Sequence, residues 1–294
     1  MIHRRYCKQI FAAMLLLLCW ATAQAAPPQY SHGLLWKIER GQQAPSYVFG
    51  TIHSEDPRVL NLPQPVQVAF DGAKTYVMEA LLDPDAVLAM TSSMLFNDGR
   101  SLRQVLSPAT YDKTIASAAA YGLPELAAQS MQPWALAVAL GVPKPKTGVV
   151  LDLFLLQQAQ QQGKQTAGLE SVDEQVSIFY KLPMREQVLM LEDVLKQIDD
   201  LPRIFASLHQ DYLARDLAAL ERLSNQQQAL GNPALAEKLN RQLLQQRNPR
   251  MVARMAPYLK TGQAFIAIGA LHLPGETGVL NLLAKQGYRV SVVY

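Results

Sequence analysis

Apolar residues follow two regimes along this chain. Near both ends they come in short unbroken runs rich in β-branched and aromatic side chains, while between those ends they recur every three or four residues. Unbroken runs of this kind are the mark of strands, buried on both faces where no polar residue interrupts them. They predict strands over residues 34–39, 46–50, 74–79, 265–268 and 288–294, the first two joined as a hairpin through the turn from Gly41 to Pro45. The helical spacing predicts helices over 84–96, 108–121, 124–140, 151–162, 172–180, 183–198, 202–214, 216–229 and 233–246, with shorter ones at 65–72 and 278–286. A glutamine-rich stretch near the end of that series still carries Leu235, Leu239 and Leu243 at a constant interval, which reads as a solvated helix with one apolar stripe. One strand, 163–170, interrupts the helices. The fold class is therefore α/β: a mixed sheet flanked by helices, with about residues 84–255 as a large, mainly helical insertion. Met94, Met131, Met184, Met190, Met251 and Met255, scattered through these helices, are read as gap-filling core residues.

The strands end alike. The run Ser46-Tyr47-Val48-Phe49 breaks at Gly50 and delivers His53; the run Phe265-Ile266-Ala267-Ile268 breaks at Gly269 and delivers His272 at the same Gly-x-x-His spacing. Strand 74–79 closes on Glu79 and strand 163–170 on Glu170. In open α/β sheets the loops leaving the carboxyl ends of the strands line the crevice where ligands bind, so histidines on two parallel neighbours would face one cleft. Two neutral imidazoles with one or two carboxylates form a shell for a divalent transition metal that keeps a position open for water. Such a metal lowers the pKa of water towards ~7, and a spare carboxylate can take the proton. The competing readings are a loop histidine at each site, a helix-capping carboxylate at Glu79, and an ordinary ion pair at Glu170.

Other chemistries lack their signatures. There is no G-x-S-x-G elbow, no H-E-x-x-H zinc helix, and no G-x-G-x-x-G or Walker loop for a nucleotide. Composition narrows the picture once the first 25 residues are set aside. His3, Arg4, Arg5 and Lys8, an apolar core from Ile10 to Cys19, and Ala23-Gln24-Ala25 together read as an export signal. Its apolar run is shorter than the ~20 residues of a membrane span, and no later segment reaches that length. Cleavage after Ala25 leaves residues 26–294 as a single domain without Cys7 and Cys19, hence without disulfides or a thiolate nucleophile. It also takes Arg4, Arg5 and Lys8 from the 27 basic residues, leaving as many as the 24 acidic ones. No electrostatic footprint for nucleic acid or an anionic membrane remains. The expected destination is periplasmic or secreted.

The segments Leu35-Trp36-Lys37-Ile38, Tyr47 to His53, Gly168-Leu169-Glu170, Arg247-Asn248 and Ala267 to Gly275 also carry a resemblance. Taken in order, they resemble the TraB/GumN family, which includes the Tiki metalloproteases, across essentially the whole mature chain. The resemblance implies a fold similar to the erythromycin-esterase/ChaN-like group and a hydrolytic centre with a divalent metal ion (Mn, Co or Zn). It implies His53 and His272 as metal ligands, Glu79 as ligand or general base, and Arg247 as a cation for developing oxyanion charge; Glu170 is a further catalytic candidate. Without the resemblance, Arg247 would read as a cation at a helix C-terminus. The implied function is a periplasmic hydrolase of peptides or proteins. A peptide- or metal-sequestering protein without turnover, or a polysaccharide-related accessory protein, is the alternative.

Overall fold

The computed structural model describes residues 29–81 and 83–294; the expected export signal and both cysteines lie outside them. Six strands form one mixed sheet: β1 (Leu35–Glu39), β2 (Ser46–Thr51), β3 (Thr75–Ala80), β4 (Gln165–Glu170), β5 (Ala264–Gly269) and β6 (Arg289–Val292), in the order β4-β3-β5-β2-β1-β6. The predicted hairpin forms, with Leu35 opposite Phe49 and Ile38 opposite Ser46. β5 lies between β2 and β3 and runs parallel to both, and β4 continues the parallel set beyond β3. β6 returns to pair antiparallel with β1, two strands away from β5. Four parallel strands therefore point their carboxyl ends at one edge of the sheet.

The centre of the sheet is its driest part. Every residue of β5 from Ala264 to Ile268 is buried, as its uninterrupted apolar run requires. Phe265 packs edge-on against Phe70 at 5.2 Å and lies 5.7 Å from Phe49, so the helix Gln64–Asp71 is clamped to the sheet through aromatic rings. Full burial of side chains of this size stabilises by roughly 1.5–3 kcal/mol each. The two edges are treated differently: β6 is short, half exposed, and ties Arg289 to Glu39 at 2.8 Å, features that discourage edge-to-edge pairing.

The helices carry a second hydrophobic cluster built from Leu102, Tyr111, Leu136, Leu140, Leu191 and Leu195 among others, separate from the cluster under the sheet. Met251 and Met255 are fully buried in the sheet cluster, and Met131 and Met190 pack against the other. Helices form close to the predicted ranges, with two informative departures. The expected helix 124–140 is broken into Glu125–Ser130 and Pro133–Leu140. Pro133 pushes Gln132 into an extended conformation, and the Gln132 N–H bonds to the Met94 carbonyl at 2.8 Å instead of continuing the helix. The second departure is the helix Arg247–Thr261, which the spacing did not predict because Pro249 and Pro257 punctuate it. Pro249 falls in the first turn, where N–H groups have no partner in any case. Among the described residues no helix is long and apolar enough to cross a membrane.

Candidate functional site

The parallel edge delivers its polar residues in sheet order. Glu170 closes β4, Glu79 lies at the end of β3, His272 follows β5 and His53 follows β2. Thr51 and Gly269 are register partners, so the two histidine loops leave neighbouring strands at the same level. Both glycines of the Gly-x-x-His segments are close-approach positions. A Cβ on Gly50 would lie 2.7 Å from Leu273 Cδ1 and 3.1 Å from Ala270 Cα, because the turn Ala270–His272 folds down onto β2. A Cβ on Gly269 would crowd Glu79 Oε1 at 3.3 Å, the oxygen that accepts the Gly269 N–H at 2.7 Å.

Glu79 is the hub. Its Oε1 lies 3.6 Å from His272 Nε2, and its Oε2 accepts from Arg247 Nη2 at 2.5 Å and Gln175 Nε2 at 3.0 Å. Arg247 also donates through Nε to Glu170 Oε2 at 2.8 Å, while Arg250 holds Glu170 Oε1 at 2.8 Å. The Glu170 side chain is wholly buried, and both its oxygens are occupied by guanidinium groups. Arg247 opens its helix, the opposite end from the one a dipole argument would choose. A cation there is disfavoured by the dipole, so the two carboxylates are what hold it.

His272 has its tautomer fixed by a chain of partners. Asn248 Nδ2 donates to the Thr277 carbonyl at 2.9 Å, which turns Asn248 Oδ1 towards His272 Nδ1 at 2.6 Å. Nδ1 must then carry the proton, leaving the Nε2 lone pair facing Glu79. His53 follows the same logic with another partner: its Nδ1 lies 2.8 Å from Asp152 Oδ2, and Asp152 Oδ1 accepts from Thr51 Oγ1 at 2.6 Å. A carboxylate can only accept, so His53 Nε2 is free in the neutral ring. The His53 side chain is largely exposed, at 77%. Its loop is pinned from the far side, where Ser54 Oγ meets His209 Nε2 at 2.7 Å and the Tyr212 hydroxyl donates to the Gly50 carbonyl at 2.8 Å.

Electrostatics follow from these contacts. Burial by itself raises the Glu79 carboxyl, but His272, Arg247 and the Gly269 N–H outweigh it and bring it from 4.5 to about 2. Burial lowers His272, more than Glu79 raises it. At neutral pH the pair is thus ionised Glu79 beside neutral His272, with Arg247 as the permanent charge. The hydrogen bond to Asp152, with the charge of that carboxylate behind it, raises His53 above 6.5.

The donor chemistry suits a divalent transition metal. Each imidazole is oriented through Nδ1 by an oxygen acceptor, the usual arrangement around a metal-ligating histidine. Two ligands about 2.1 Å from a tetrahedral ion lie roughly 3.4 Å apart, close to the Glu79–His272 separation of 3.6 Å. Among the described residues no three His, Cys, Asp or Glu side chains close into a metal-binding group. The geometry offers a two-ligand edge, Glu79 with His272, and a third donor, the His53 imidazole, on the adjacent loop. Of the residues singled out from sequence, Glu79, Glu170, Arg247 and His272 are brought into contact, and His53 sits beside them on its own carboxylate. Asp152, Asn248, Gln175 and Arg250 were not foreseen. Asp152 reads in sequence as an acid in a helix's first turn, and Asn248 entered only as the neighbour of Arg247.

The chain is similar to known proteins over most of its own length. The chain is 26% identical to a protein named Metalloprotease TIKI1 of Danio rerio over 90% of its own length and 64% of that protein's. To Metalloprotease TIKI1 of Homo sapiens it is 27% identical, covering 90% of the chain and 63% of the relative, and to Metalloprotease TIKI2 of Danio rerio 26%, covering 88% and 61%. The chain thus spans less than two thirds of the length of these relatives. No solved structure matches it. The model of the TraB/PrgY/gumN family matches residues 34–292, which takes in all six strands and the whole site edge, and the chain belongs to that family.

Proposed function

We propose that this chain is a metal-dependent hydrolase of peptides or proteins working outside the cytoplasm, in the periplasm or secreted. The observation that carries the reading is the His272 imidazole, whose Nδ1 is occupied by Asn248 so that Nε2 faces the ionised Glu79 carboxylate at 3.6 Å. His53, His272 and Glu79 would hold the ion, Mn, Co or Zn. When bound, such an ion supplies Lewis acidity that brings the pKa of water to about 7 and polarises a carbonyl.

Around it the protein's own groups divide the work. Glu79 suits a ligand better than a base, because a carboxylate that stays ionised down to about pH 2 is a weak proton acceptor. Arg247 supplies a fixed positive charge beside the reacting carbonyl, available for the oxyanion as it develops. Glu170, closed off by two guanidinium groups, keeps Arg247 in place. The relatives named as metalloproteases support the same reaction class.

The occupied state of Glu79 also favours a second reading, a protein that holds a metal or peptide without turnover. Both Glu79 oxygens are already engaged by N–H donors. Metal titration and peptide cleavage separate the two. Residues 26–294 should take up one Mn, Co or Zn per chain and cleave a mixed peptide pool, with cleavage lost in Glu79→Gln. Tight peptide binding with no cleavage under any of the three ions would leave sequestration.

A further inference from the structure

Beside this centre lies a cavity of about 340 Å³, within the range of small-molecule and peptide pockets. Its floor is apolar, formed by Leu235, Leu239, Leu243 and Leu271, with Met190 and Ala236 at the sides. Two of these residues tie it to the candidate centre. Leu271 directly precedes His272 in the turn Ala270–His272, and the Leu243 carbonyl accepts from Arg247 Nη1 at 3.3 Å. Leu243 also belongs to the π-helical turn Arg241–Gln245, an irregularity found frequently at functional sites.

The cavity carries no unbalanced charge. Its one ionised wall residue, Asp193, is taken up by Lys196 Nζ at 2.8 Å and the Asn232 N–H at 2.7 Å. Polar groups on the wall are mostly carboxamides, so a charged side chain would find no free counter-ion there. An uncharged apolar side chain fills the floor without that cost.

We propose that this cavity is the specificity pocket of the enzyme and receives an uncharged, bulky apolar side chain of a peptide substrate close to the bond that is cleaved. The proposal rests on the hydrolase reading for the word substrate, but the pocket itself is testable without catalysis. The test uses residues 26–294 and fluorescently labelled peptides identical except at one position, occupied by Leu, Phe, Asp or Lys. Binding is read by fluorescence anisotropy without added metal, and cleavage with Mn, Co or Zn present.

The Leu and Phe peptides should bind roughly tenfold or more tightly than the Asp and Lys peptides. Ala236→Trp, at a half-buried wall position that a large side chain would fill, should erase the difference while its melting temperature stays near that of the wild type. If that variant does not fold, Leu239→Ala serves instead by enlarging the pocket, and should move the preference from Leu towards Phe. Equal affinity for all four peptides, or a preference unchanged in both pocket variants, overturns the proposal. Displacement of all four peptides alike by palmitate overturns it in favour of an acyl ligand. A retained side-chain preference with no cleavage in the wild type would bring down the hydrolase reading and leave the pocket standing. Cleavage without any side-chain preference would do the reverse.

Discussion

Glu79 Oε1 faces His272 Nε2 across 3.6 Å, and the Gly269 N–H, three residues before that histidine, holds the same oxygen at 2.7 Å. The strand end that carries the imidazole thus also fixes the carboxylate opposite it. If this pair is half of a metal shell, His272→Ala and Glu79→Gln should each abolish stoichiometric uptake of Mn, Co or Zn, measured as metal content per chain after dialysis. Full loading of His272→Ala would remove the pair from the metal's first shell.

Arg247 joins two carboxylates in a place with little water: its side chain is 7% exposed and that of Glu170 is wholly buried. Removing one partner of a buried ion pair leaves an uncompensated charge, at a cost of about 3–5 kcal/mol. Arg247→Gln should lose about that much in urea unfolding. Arg250→Gln should lose distinctly less, because its guanidinium is 38% exposed and water screens it. Equal losses would mean that Glu170 does not discriminate between its two guanidinium partners.

Acid should act through Glu79. Its carboxyl titrates near 2 in the folded chain against an ordinary 4.5, so the stability it contributes is fully present above about 4.5 and is lost as pH falls towards 2. The difference amounts to about 3 kcal/mol at most. His272, lowered by burial, works in the same direction from higher pH: below 6.5 the unfolded chain takes up a proton that the folded one refuses. Unfolding midpoints measured from pH 7 to 3 should decline, and Glu79→Gln should flatten the part below 4.5. An unchanged slope in that variant would assign acid sensitivity elsewhere.

Gly50 sits under the turn that presents His272. Alanine there would bring a methyl group to 2.7 Å from Leu273 Cδ1 and 3.1 Å from the Ala270 backbone. Leu273 is completely buried, so it has little room to yield. Overpacking of this kind costs about 1–3 kcal/mol. Gly50→Ala should lower the unfolding midpoint accordingly and weaken metal uptake, through the displaced turn; wild-type values for both would show that the turn tolerates the shift.

The strands, and the residues at their ends, could be read from sequence because a buried parallel strand needs an unbroken apolar run, and a run that stops at glycine announces where backbone crosses backbone. Gly50 and Gly269 are legible for that reason. Helix Arg247–Thr261 was hidden by its prolines: local preference argues against it, and it is held by side chains that reach another element, Arg247 and Arg250 on Glu170 and Arg254 on Glu174. The groups that orient the histidines were hidden by distance. Asp152 is 99 residues from His53, and Asn248 is 24 from His272. No periodicity links such partners, and only the sheet order brings them together.

Asp152 makes the sharpest separate test, since its carboxylate dictates which His53 nitrogen keeps the proton. In Asp152→Asn the carbonyl can still accept from Thr51, which turns the amide NH₂ towards His53 Nδ1. That nitrogen then becomes the acceptor, and the proton moves to Nε2, the position a metal would need. Metal affinity should fall about 10–100-fold, as for other partners of metal-ligating histidines. A second readout needs no metal. The hydrogen bond to Asp152 is the main cause that raises His53 above 6.5, and the charge of that carboxylate adds to it, so the variant's His53 should titrate at lower pH in an NMR titration. The stability linked to this pair runs the opposite way from that of Glu79: it is fully present below 6.5 and lost as pH rises through the raised His53 value. A His53 titration unmoved by Asp152→Asn would show that the carboxylate does not control the ring, and with it would go the argument that Nε2 is held ready for an ion.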